Sequence, residues 1–189
     1  YTFMHAVSLL FLVLVSQLLT MRLLADEQRL GTLELLLTAP IRDWEVIVGK
    51  YLAALCLWLV MILLTGYFPL LLTRVGNPDV GVMLSGYLGY FFIGAALLAI
   101  GVFASSLTQN QIVAAMIGLG ISLLLWLSGA LADMMGEGFK QIVAYLPIFD
   151  HYFDFVRGII DTKDIIYYLS LVALFLFLST RMVESKRWK

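Results

Sequence analysis

Nine acidic and basic side chains, Arg22, Asp26, Glu27, Arg29, Glu34, Arg42, Asp43, Glu45 and Lys50, crowd into residues 21–50 of the chain. Both signs are present and leucines lie between them. That mixture suits ion pairs and hydrogen bonds to another macromolecule rather than bond-breaking chemistry. A second, smaller concentration is His151 with Asp150 and Asp154, residue types that could hold a metal ion, though no further ligand lies near them in sequence. Elsewhere there is no Ser/His/Asp set, no His/Glu metal-ligand pairing and no glycine-rich phosphate loop.

The remainder of the chain must position these residues, and its composition says how. It is 62% hydrophobic and 13% charged, with a mean hydropathy of +0.97, outside the usual range of soluble domains. A membrane crossing takes about 20 apolar residues per helix, and only helices or closed barrels satisfy their backbone there. The apolar runs are long and continuous rather than alternating, which selects helices over a barrel. The expected fold is therefore all-α, a polytopic integral membrane protein forming a single domain over 1–189. A net charge of −1 leaves no basic excess for nucleic acid. The one cysteine, Cys56, lies inside an apolar run and reads as a buried structural thiol.

Five spans are expected, at about 3–21, 46–72, 84–104, 112–132 and 165–180. Arg74 to Asp79 is a turn containing Gly76, Asn77 and Pro78, and a brief polar turn covers Ser105 to Gln111. His5, at the edge of the first span, reads as an interfacial residue. None of the spans has an ionisable residue near its middle. Such residues mark proton relays and ion sites, so an ion-coupled carrier and an intramembrane enzyme are both disfavoured. Placing 21–50, the brief turn and the C-terminus on one side gives that side eight Lys and Arg residues against four. The positive-inside rule then puts that side in the cytoplasm. Tyr1 falls outside; a missing upstream helix would give six spans and a cytoplasmic N-terminus.

Within 21–50 the first span is expected to continue as helix through Arg29 and to stop at Gly31. Thr32 is placed to cap a following short helix, with Glu34 in its first turn. Leu33, Leu36 and Leu37 share one face of that helix, Glu34 and Thr38 another, and Pro40 ends it. Asp43 is a candidate cap for the second span. A helix resting on lipid alone and a helix docking on a partner both fit. The acidic character of its polar face favours the partner, because lipid-binding helices are rich in Lys and Arg. The spacing of Ala114, Gly118 and Ser122, of Ala95 and Ala99, and of Gly101 and Ser105 lets helices approach closely, either within one subunit or across a dimer seam.

The residues Glu27, Arg29, Gly31, Thr32, Glu34, Leu35, Leu36, Thr38, Pro40, Trp44, Gly49 and Lys50 resemble the permease subunits of ABC-2 type ATP-binding-cassette transporters. They are especially similar to the gliding-motility-associated permease subfamily. A second matching run extends from Pro147 to Asp161 and on through Asp164 and Tyr167. The resemblance implies six spans with both ends cytoplasmic, and a cytosolic coupling helix here at Thr32 to Thr38. The ATPase-coupling residues would be Glu27, Arg29, Gly31, Thr32, Glu34, Thr38 and Pro40. It implies a separate ABC ATPase subunit that binds ATP and magnesium, a second permease copy or a homologous permease, and no cofactor and no catalysis in this chain. The setting would be a bacterial or archaeal cytoplasmic membrane, and the activity export. A non-transporting relay or anchor that joins an ATPase to an extracytoplasmic assembly is the alternative.

The segment 133–163 lies outside in this topology. Phe149, Tyr152, Phe153, Val156 and Ile160 form one apolar stripe, with Asp150, His151, Asp154 and Arg157 facing away. The stripe suits a helix lying at the outer leaflet. The resemblance suggests instead a short outer helix, from Phe149 through Arg157 and Gly158, that shapes the exit of a translocation path.

Overall fold

The computed structural model describes residues 2–32, 42–134 and 146–187, all helices and connecting turns. In chain order the helices are α1 (Thr2–Thr20), α2 (Ala25–Leu30), α3 (Asp43–Thr65), α4 (Tyr67–Val75), α5 (Val80–Leu107), α6 (Gln111–Met134), α7 (Asp150–Val156) and α8 (Thr162–Arg187). Five stretches are long and apolar enough to cross a membrane: Val7–Leu30, Asp43–Val75, Val80–Leu107, Gln111–Gly129 and Thr162–Lys186. They are the five spans expected, and all but the fourth are longer than their apolar text because polar residues cap and extend the helices.

Those caps are local chemistry. Asp79 accepts from the Gly81 and Val82 amides at 2.9 and 3.3 Å and so starts α5. Asn110 does the same for α6 through the Ile112 and Val113 amides, which shrinks the expected turn to residues 108–110. At α3 the expected cap is displaced by one residue. Asp43 is the first helical residue, and it is the Glu45 carboxylate that accepts from the Arg42 amide at 3.1 Å.

α5 is the axis of the bundle. Of its most apolar window 72% is buried, against 17–39% for the other four spans, and α1, α3, α6, α7 and α8 all pack on it. Small residues make this possible. Ala95, Ala96, Ala99 and Ala104 are buried along it, and the indole of Trp58 on α3 lies against Gly94, stacked on Tyr90 at 5.3 Å between ring centroids. The small-residue spacings work inside the subunit. Gly101 faces the Thr20 hydroxyl and Gly118 faces the Gln17 amide, whose Nε2 donates to Ser122 Oγ and to the Leu97 carbonyl, both at 3.4 Å.

Two expectations are corrected. The first span does not run unbroken to Arg29, because the chain leaves helix at 21–24 and restarts as α2, for a reason given below. The second span stays one crossing, Asp43–Val75, though it turns at Gly66 between α3 and α4, and Phe68, Leu70 and Leu72 of α4 lie on the surface. Cys56 is exposed on the flank of α3 rather than buried, since the buried face of that helix runs through Ile47, Tyr51, Ala54, Trp58 and Ile62.

Candidate functional site

At one end of the bundle lie α2, the C-terminal end of α5, the N-terminal end of α6 and the C-terminal end of α8. α2 has only six residues, too few to persist alone in water. Its charges follow the helix dipole, with Asp26 and Glu27 in the first turn and Arg29 in the last. It is held by polar contacts to every neighbour. Lys50 Nζ of α3 meets Glu27 Oε1 at 2.6 Å, with both side chains partly buried. Gln111 of α6 donates to Asp26. Gln28 donates to the Ser106 carbonyl at 3.0 Å, and Lys186 of α8 donates to Gln28 Oε1 at 2.6 Å and to the Ser106 carbonyl at 2.7 Å. Three stretches assigned to one side from sequence alone thus meet at one end.

Gly31 ends α2 in the left-handed region, at φ 71° and ψ 2°. An added Cβ would meet nothing within 4 Å, so the demand there is purely conformational. Gly31→Ala is expected to lose about 1 kcal/mol of local stability, and Gly31→Asn less, because asparagine tolerates this region. Hydrogen exchange of the α2 amides measures this; equal protection in all three proteins would show that the left-handed turn does not hold α2. Thr32 is exposed and its hydroxyl donates back to the Glu27 carbonyl at 3.4 Å. The amides it was expected to cap, together with Glu34, Thr38 and Pro40, lie in 33–41, outside the described residues.

Of the residues singled out in this stretch, Glu27 is engaged by Lys50, whereas Arg29 and Gly31 are exposed. Arg29 lines a cleft of about 330 Å³ with Gln109, Asn110, Gln111 and Ile112. The roles of Gln28, Ser105, Ser106 and Lys186 were not legible from sequence. Gln28 read only as a helix former, and Ser105 only as a small residue at the start of a polar turn. Their one signal was polarity at the ends of apolar helices.

The opposite end is built around α7. Phe149 and Phe155 are buried, at 1% and 0% exposure, and Phe155 packs on Gly89 of α5 and tilts against Phe92 at 6.3 Å. Tyr152, Phe153 and Val156 are half-buried, Arg157 is exposed, and Gly158 turns the chain at φ 84°. The expected stripe is corrected at both edges. Phe155 is its deepest member because α7 sinks into the bundle, and Ile160, beyond the helix, is 58% exposed. His151 does not face away: its Nδ1 lies 2.6 Å from Oδ1 of the fully buried Asp164, and its ring stacks on Tyr167 at 4.0 Å. The Tyr168 hydroxyl donates to the Ile148 carbonyl at 2.7 Å, tying α8 to the start of this segment. Asp161 caps α8, and the Lys163 backbone amide, followed by the Lys163 ammonium, holds its carboxyl below the usual carboxylate range. Burial, then the neighbouring Tyr90, pushes the Tyr152 phenol up. Among the described residues no group of three or more His, Cys, Asp or Glu side chains could hold a metal.

No curated protein and no solved structure matches the chain. The family described as ABC-2 family transporter protein matches residues 3–184, nearly the whole length. Members are typically non-catalytic membrane subunits that generally work with an ATPase partner. With five helices long and apolar enough to cross a membrane, and on the strength of the match, the chain belongs to the ABC-2 transporter family as a multi-pass membrane component.

Proposed function

We propose that this chain is the permease subunit of an ATP-driven exporter in a bacterial or archaeal cytoplasmic membrane. The end carrying α2 and the C-terminus is cytoplasmic, in keeping with the eight-to-four bias of Lys and Arg. Two copies, or one copy and a related permease, pair with two ATPase subunits, which bind ATP and magnesium. The observation that carries the reading is the convergence of α2, α5, α6 and α8 at one end, where a short charged helix is held by ion pairs and hydrogen bonds rather than by apolar burial alone. In this reading Glu27 and Gly31 fix the segment, Arg29 and Thr32 are presented to the ATPase, and Glu34, Thr38 and Pro40 complete the coupling element. ATP-driven approach of the ATPases moves it, and the bundle answers as a rigid body.

At the opposite end α7, with Phe149, Tyr152, Phe153, Val156, Arg157 and Gly158, shapes the exit. The finer resemblance, to gliding-motility-associated permeases, rests on residues 27–50 and 147–167.

Co-purification of the full-length protein with its ATPase tests the reading, comparing wild type with Glu34→Lys. Wild type is expected to retain the ATPase and the variant to lose it while inserting normally. Equal retention removes Glu34 from the contact, and failure of wild type removes the coupling role of the whole stretch. Substrate-stimulated ATP hydrolysis then separates an exporter from a relay that carries no cargo.

A further inference from the structure

We infer that Ser105 is a positioning residue that locks α2 to the central helix, so that the coupling segment and the cytoplasmic end of α5 move as one body. The inference rests on the coupling role proposed above for the stretch around α2.

The geometry begins with a defect. α1 ends at Thr20 and α2 begins at Ala25, with Leu24 at φ −121° and ψ −34°. In an unbroken helix the amides of Leu24 and Ala25 would donate to the carbonyls of Thr20 and Met21. Here both donate to the Ser105 hydroxyl oxygen, each at 3.0 Å. The same hydroxyl donates its proton to the Met21 carbonyl at 3.0 Å. A serine hydroxyl offers one donor and two acceptor positions, and all three are used. Ser105, Leu24 and Ala25 are each 0% exposed, so solvent cannot take over the two amide bonds. The break in the first span is therefore closed by a side chain from α5, acting as a cap supplied from another helix.

A second tie lies one turn further along α2. The last carbonyls of a helix lack partners within it. Those of Ser105 and Ser106 receive the Gln28 amide at 3.5 and 3.0 Å, and the Lys186 ammonium bridges Gln28 and Ser106. α2 is thus tied to α5 at its start and along its length, whereas residues 21–24 join it to α1 by a turn rather than by continuous helix. A push on α2 is carried into α5, and α5 touches every other span.

The test uses the full chain in complex with its ATPase, in a Cys56→Ser background with spin labels at Leu30→Cys and Gln109→Cys. A second pair, Leu18→Cys and Leu30→Cys, reports α2 against α1. With Ser105 intact, the 30–109 distance is expected to be narrow and the same with and without trapped ATP, while the 18–30 distance shifts. Ser105→Ala is expected to broaden the 30–109 distribution and make it nucleotide-dependent; Ser105→Thr, which keeps the hydroxyl, is expected to restore it in part. Should Ser105→Ala fail to insert, Gln28→Met opens the second tie and is read the same way. A 30–109 distance that shifts with ATP when Ser105 is intact, or that is unchanged in both Ser105→Ala and Gln28→Met, overturns the lock. If no ATPase is retained by the labelled protein with Ser105 intact, the coupling reading fails by itself, and the nucleotide-free distributions still decide whether Ser105 fixes α2 to α5.

Discussion

Trp58→Ala is expected to cost the bundle about 2–3 kcal/mol, below the ~3–5 kcal/mol usual for emptying a buried tryptophan site. The discount follows from the medium. Lipid tails are as apolar as the bundle interior, so transfer contributes little and the loss is one of packing. Trp58 is 2% exposed, stacks on Tyr90 and fills the space that Gly94 leaves on α5. Its Nε1 is buried with no hydrogen-bond partner among the described residues. Trp58→Phe, which removes that donor along with some volume, is therefore expected to stay within about 1 kcal/mol of wild type, because an unmade buried bond costs about as much as the lost contacts. Gly94→Ala places a Cβ on the indole and should cost about 1–3 kcal/mol in wild type but little in the Trp58→Ala background. Reversible unfolding of the four proteins in mixed micelles measures the cycle. Additive losses would mean that Gly94 is not small on account of Trp58.

The same physics explains what was legible in the sequence. Crossing a membrane forces long apolar helices, so the five spans could be read directly, as could the turn ahead of Val80 and the left-handed stop at Gly31. Apolar text does not say which face of a helix is inside, since both faces are hydrophobic. Cys56 was misplaced for that reason, as was the depth of Phe155 relative to its neighbours on α7. The break at 21–24 was hidden for another: Leu23, Leu24 and Ala25 all favour helix, and the side chain that makes the break tolerable lies eighty residues on, at Ser105. Long-range polar pairs of this kind leave no periodicity. His151 belongs with them, since its aspartate partner is not among its sequence neighbours Asp150 and Asp154 but is Asp164, on the next helix.

That pair carries the second large effect. Asp164 is completely buried in the first turn of α8, and its Oδ1 lies 2.6 Å from His151 Nδ1, which is itself only 15% exposed. A carboxyl in that position benefits from the positive end of α8, and the imidazole beside it fixes where α7 sits. Removing one member of a buried pair strands the other, at a cost of about 3–5 kcal/mol when charged groups are involved. Asp164→Ala is expected to fall at the lower end of that range, because Tyr167 still stacks on the imidazole. Asp164→Asn keeps a hydrogen-bonding oxygen and should lose about 1–2 kcal/mol, the worth of the charge assistance. His151→Ala, the third corner, should cost nearly as much as Asp164→Ala, and the double variant little more than either alone, since the two residues stabilise the protein as one contact. Because the contact joins α7 to α8, the loss should appear first as faster hydrogen exchange across 150–164, with the amides of α5 still protected. Uniform loss of protection along the chain, or additive single effects, would show that the pair does not hold α7 in place.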